Sequence, residues 1–149
     1  MLIKEVCVLD VASCSRDATV LEAARLMRHH HTGDLVVVDE PGGECVPLGI
    51  VTDRDIVVEA LANGRDPVKT TVAEIMSVRL VIAAGSEDIA VAVERMKLHG
   101  VRRLPVVDHA GNLMGILTLD DVLRLHAARA AALADIVSKE QGREYRARR

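Results

Sequence analysis

Two short stretches of the chain carry residue types from which a ligand site can be built. Both read Gly-h-h-Thr-x-x-Asp-h, where h is apolar: Gly49, Thr52 and Asp55 in one, Gly115, Thr118 and Asp121 in the other. A Thr at a helix start with an acid three residues on is close to a capping box, which satisfies the orphan amides of the first turn. The same geometry suits a phosphate or a ribose, because free amides and a hydroxyl face outward at the positive end of a helix. A carboxylate beside them can accept both hydroxyls of a ribose diol. The Gly at the strand start allows close approach of a ligand or of backbone.

The remaining candidates for chemistry are weaker. His29, His30 and His31 are consecutive, and neighbouring helical side chains point about 100° apart, so the three do not converge on one ion. Cys7, Cys14 and Cys45 form an odd set without a C-x-x-C spacing, which suggests neither a disulfide framework nor a zinc site. Reduced thiols are expected, with a Cys14–Cys45 redox pair as a subsidiary idea. No Ser/His/Asp or Cys/His constellation points to nucleophilic catalysis. Asp53, Asp55, Asp120 and Asp121 sit at helix starts, where favourable interaction with the helix dipole explains them without acid-base chemistry. No catalytic residue and no metal ligand is therefore expected.

The elements that position the two motifs also come in two copies. Shifting the chain by 69 residues aligns residues 19–39 with 88–108, with seven identities in 21 positions. Shifting it by 66 aligns residues 49–56 with 115–122, with four identities in eight. Each copy opens on a helix with apolar residues at i, i+3, i+4 and i+7: Val20, Ala23, Ala24, Met27, and Ile89, Ala92, Val93, Met96. A β-branched strand follows (residues 35–38 or 104–107), then a Gly-bearing turn (Pro41-Gly-Gly or Ala110-Gly-Asn) and a second strand (48–52 or 114–118). A second helix begins directly after the Thr. Units of about 60 residues are marginal alone, so the halves are expected to pack on each other. Residues 63–71 read as the linker. An Ala-rich helix over residues 123–145, with Leu133, Ile136 and Val137 on one stripe, extends beyond the repeat.

Composition limits the function. The chain has 149 residues, 50% hydrophobic and 28% charged, with no Trp, no Phe and one Tyr, Tyr145. Its core must be aliphatic, and recognition of bases by aromatic stacking is disfavoured. The net charge is −3. Residues from 127 onward carry six basic and three acidic side chains, which leaves the rest net acidic, thirteen basic against nineteen acidic. An acidic body argues against a nucleic-acid footprint. No apolar run approaches the roughly 20 residues of a membrane span, and a cytoplasmic protein with no membrane contact is expected.

The stretch His99-Gly-Val-Arg-Arg-Leu-Pro-Val-Val-Asp108, with the two Gly-h-h-Thr-x-x-Asp-h motifs, resembles the cystathionine-β-synthase (CBS) domain, which occurs as tandem pairs. The resemblance runs from about Val8 to Leu125. It implies an α+β fold: two CBS repeats (residues 1–65 and 70–126), each a small sheet covered by two helices, related by a pseudo-twofold axis and followed by a helical tail (127–149). It also implies two clefts that hold adenosine-containing ligands: AMP, ADP or ATP, with NAD(H) and S-adenosylmethionine as further members of the set. The Asp takes the ribose, and the Thr lies near ribose or phosphate. The adenine rests on aliphatic side chains and backbone of the first strand, here around residues 12–14 (Ala12, with Ser13 and Cys14 in particular) and 81–83 (Val81, with Ile82 and Ala83 in particular). By the same resemblance, the cleft of Thr52 and Asp55 faces Arg102 and Arg103, whereas that of Thr118 and Asp121 faces Gly33 and Asp34. Two cations suit a phosphate in the first cleft; an acid in the second repels it.

The resemblance thus implies a regulatory module, not an enzyme. It would bind an adenosine ligand, form a homodimer and pass a signal to a client protein. The alternative is a structural or interaction scaffold whose clefts take no nucleotide.

Overall fold

The computed structural model describes residues 1–40 and 44–148; the Pro41-Gly-Gly turn lies outside the described residues. In chain order the elements are β1 (Ser13–Ser15), α1 (Val20–His30), β2 (Asp34–Asp39), β3 (Val46–Thr52), α2 (Asp53–Asp55, running on as a wider helical turn over Ile56–Leu61), β4 (Ala83–Ala84), α3 (Ile89–His99), β5 (Arg103–Val107), β6 (Leu113–Thr118) and α4 (Leu119–Ala147). Two three-stranded sheets result, ordered β1-β2-β3 and β4-β5-β6. In each, the first pair is parallel and the second antiparallel. The antiparallel ladders break register at equivalent places, Val37/Val38 and Val106/Val107. The fold is α+β, as expected.

Local rules account for the helices. Thr19 caps α1 by accepting from Glu22 N at 3.1 Å, while the Glu22 carboxylate accepts from Thr19 N at 2.7 Å. Val20, Ala23 and Met27 turn inward. The helix stops at His31, held at φ 52°, a left-handed conformation that ends helices. Gly100 ends α3 in the same way at φ 64°.

The two hydrophobic cores do not coincide with the two halves of the sequence. Ile3 and Cys7, from the start of the chain, pack with Ala92, Met96, Leu104 and Leu117 of the second sheet. Val72 and Ile75, which precede the second repeat, pack with Val20, Met27, Leu35 and Val51 of the first. Each repeat therefore completes its core with the segment that leads into the other one. Burying one such aliphatic side chain stabilises by roughly 1.5–3 kcal/mol. The linker segment is similarly tied down: Val20 N donates to Thr70 O at 2.9 Å, and Val72 N to Ala18 O at 2.8 Å. The helix expected over residues 123–145 is present and starts four residues earlier, at Leu119. This is α4, in which Val122 is buried.

Candidate functional site

Each motif glycine marks a crossing of backbone over backbone. Ser77 N donates to Ile50 O at 3.0 Å, and Val8 N to Ile116 O at 2.9 Å. A Cβ on Gly49 would collide with the Ser77 carbonyl oxygen; one on Gly115 would stand 2.9 Å from Val8 O and 2.8 Å from Cys7 Sγ. Both positions thus require the absence of a side chain. Beside each crossing a cavity opens between the repeats, of about 300 Å³ at Ile50 and about 250 Å³ at Ile116. The first stands at the lower limit of small-molecule sites, about 300 Å³, and the second just below it.

The first cleft is floored by Ile50 and Val81 and lined by Arg79, Arg102 and Arg103. Thr52 lies two residues beyond Ile50, on the same face of β3. Thr52 Oγ1 accepts from Asp55 N at 3.1 Å, and Asp55 Oδ2 accepts from Thr52 N at 2.8 Å. This is a complete capping box, and it engages one carboxylate oxygen, so Oδ1 takes no part in it.

The second cleft uses the equivalent positions with different chemistry. Ala12 replaces Val81, Asp10 replaces Arg79 and Asp34 replaces Arg103; Ile116, Thr118 and His30 also line it, with Val8, Val11 and Thr32. Thr118 Oγ1 donates to Asp121 Oδ2 at 2.7 Å, and Thr118 N donates to the same oxygen at 2.9 Å. Arg124 stands 3.5 Å from the other oxygen of Asp121. Two cations of the first cleft are carboxylates in the second.

The clefts meet at one ion pair. Arg103 Nε lies 3.3 Å from Asp34 Oδ2, with the Asp34 side chain 14% exposed and that of Arg103 38%. Thr32 Oγ1 donates to Asp34 Oδ1 at 3.0 Å, so both oxygens of this carboxylate are engaged. Arg102 stands 3.7 Å from Asp120 at the start of α4.

Arg102 and Arg103 line one cavity, and Asp34 and Thr118 the other, whereas Thr52, Asp55 and Asp121 are not among the residues that line either. Of the two stretches expected to hold the adenine, only the first residue of each, Ala12 and Val81, lines a cleft. Ser13 and Cys14 line a separate cavity with Arg16 and Asp17, away from the Ile116 crossing. Ile82 is 39% exposed, and its carbonyl accepts from Arg95. Ala83 is buried in the second core. Arg79 was not singled out from sequence, because residues 77–82 lack any periodic pattern. The 69-residue offset from Asp10 is the signal that finds it.

The thiols are held protonated. Burial pushes Cys14 up to about 11, and burial also raises Cys7 and Cys45. All three cysteines are free. Among the described residues, no group of three His, Cys, Asp or Glu side chains is placed to hold a metal ion. Among the same residues, no helix is long and apolar enough to cross a membrane.

Comparison with known proteins agrees with this architecture. The family model described as CBS domain matches twice, over residues 3–61 and 72–128. The CBS domain-containing protein YhcV of Bacillus subtilis is 39% identical over 120 residues, covering 80% of this chain and 81% of that one. The CBS domain pair of protein MJ0100, solved in complex with 5′-methylthioadenosine and S-adenosyl-L-methionine, superposes with a TM-score of 0.75 at 29% identity, covering 87% of this chain and 98% of that one. The CBS domain protein PAE2072 of Pyrobaculum aerophilum, solved with AMP, gives a TM-score of 0.73 at 25% identity, covering 81% and 89%.

Proposed function

The chain belongs to the CBS domain family, and on that premise we propose that it is a regulatory module, without catalysis of its own, whose clefts take adenosine-containing ligands. The nucleotide phosphate belongs to the first cleft. The observation that carries this is the meeting of Arg79, Arg102 and Arg103 over an Ile50–Val81 floor. Guanidinium groups bind phosphate through charge-assisted, often bidentate hydrogen bonds, and an aliphatic floor accepts an adenine without aromatic stacking. Asp55, whose Oδ1 is not used in the capping box, is the ribose-binding group of this reading. Thr118 and Asp121 play the matching roles in the second cleft. The ligands of MJ0100 and PAE2072, all adenosine derivatives, support the same ligand class for this chain.

Binding across both repeats alters their packing, and a client reads that change to the extent that the ligand prefers one state. The module acts as a homodimer; the apolar groove of Ala24, Met27, Ile56 and Val57 between α1 and α2 supports a paired surface there.

The test is a thermal-shift panel of AMP, ADP, ATP, NAD, NADH and S-adenosylmethionine. A midpoint that rises with ligand concentration is the expected result. A flat response across the panel overturns the reading and favours a scaffold.

A further inference from the structure

We propose that the Asp34–Arg103 ion pair couples the two clefts, so that an anion in the first cleft raises the affinity of the second for an adenosine ligand carrying a positive charge. The inference rests on the reading of the first cleft as a nucleotide site.

The two residues are mates under the internal repeat, 69 positions apart, and each opens the strand that follows its repeat's first helix. Arg103 lines the first cleft and Asp34 the second. The 3.3 Å contact between them therefore passes from one site to the other. Where the repeats carry the same residue, two like groups meet at this point; here opposite charges do, and each neutralises the other.

The sign of the coupling follows from charge. The Asp34 contact uses Nε of Arg103, and a guanidinium offers four further N–H donors on its two terminal nitrogens. A phosphate in the first cleft engages those donors and competes with Asp34 for the same positive charge. Asp34 then faces the second cleft less compensated. It is fixed there by Thr32, and Asp10 lines the same cavity. Among the described residues, the charged or titratable groups lining that cavity are these two carboxylates and the His30 imidazole, with no Lys or Arg. Anions are disfavoured there and a cation is favoured, the more so when the first cleft is filled. Linkage makes the effect reciprocal.

S-adenosylmethionine, with its sulfonium charge, and 5′-methylthioadenosine, its uncharged thioether counterpart, separate charge from shape. Calorimetric titration of each into the full chain, with and without saturating ATP, tests the proposal. ATP is expected to tighten S-adenosylmethionine binding by about fivefold or more, the lower bound of ordinary allosteric coupling, and to leave 5′-methylthioadenosine unchanged. Asp34→Asn, which keeps the shape and removes the charge, is expected to abolish the difference while ATP still binds. If ATP binds but S-adenosylmethionine is unaffected or weakened, the coupling is overturned and the first-cleft reading stands. If ATP does not bind, both fall. The comparison of the two nucleosides in the unmodified chain decides the matter even if Asp34→Asn fails to fold.

Discussion

Ile3 donates its amide to the carbonyl of Glu87 at 2.9 Å, and its side chain is fully buried in the core of the second repeat. The first residues of the chain are thus structural parts of a unit that begins some 70 residues later. Ile3→Ala should cost about 2–5 kcal/mol, the range for a truncated aliphatic core residue. Urea denaturation measures it. A loss under about 1 kcal/mol would mean that the N-terminal segment is only loosely docked.

Gly115 and Gly142 should respond in opposite directions to Ala. At Gly115 the added methyl meets Val8 O at 2.9 Å and Cys7 Sγ at 2.8 Å, and overpacking typically costs about 1–3 kcal/mol. At Gly142, inside α4, a methyl meets nothing within 4 Å, so Ala should stabilise by roughly 0.5–1 kcal/mol. Thermal midpoints of the two variants provide the comparison; equal shifts would contradict the crossing described at Gly115.

Glu87 and Arg95 make a bidentate pair, with contacts of 2.7 and 2.8 Å. The Arg95 hydrogen bonds hold the Glu87 carboxyl below its ordinary 4.5. A carboxylate with a depressed folded-state pKa contributes stability that is present above its unfolded value and lost as pH falls through the folded one. Acid titration of stability should therefore show a loss setting in below about pH 4.5 that is smaller in Glu87→Gln. An unchanged acid limb would contradict the assignment.

Cys14 should be slow to alkylate. A thiol at about 11 rather than 9.0 holds roughly 100-fold less thiolate at neutral pH, and the thiolate is the nucleophile. Iodoacetamide labelling followed by peptide mass spectrometry should modify Cys14 in native protein far more slowly than in urea. Rapid native labelling would show that the site opens.

Much of this was legible in the sequence, for reasons that can be named. Val20, Ala23 and Met27 declare a helix through their spacing, and Thr52 with Asp55 declares its successor through capping chemistry. The duplication then pairs Arg103 with Asp34 by simple offset. The crossing of Ile3 into the second core was not legible. The single helical turn Ile3–Glu5 has no period, and its hydrogen-bond partners Gly85 and Glu87 lie more than 80 residues away. Ala83–Ala84 is too short a strand to alternate, so nothing in the sequence separates Val81, which lines the cleft, from Ile82 and Ala83, which do not. The contact between Arg103 and Asp34 needed the two repeats in three dimensions, because nothing in either repeat alone calls for it.

The central claim is that the first cleft holds the phosphate of a nucleotide through its arginines. Calorimetric titration of ATP into the unmodified chain and into Arg79→Ala/Arg102→Ala tests it most directly. Neither residue is in either core, so the double variant should fold. Charge-assisted hydrogen bonds of this kind are each worth about 1.5–3 kcal/mol, so the double variant should bind ATP at least about tenfold more weakly, with adenosine affinity little changed. ATP affinity equal in the two proteins would contradict the account.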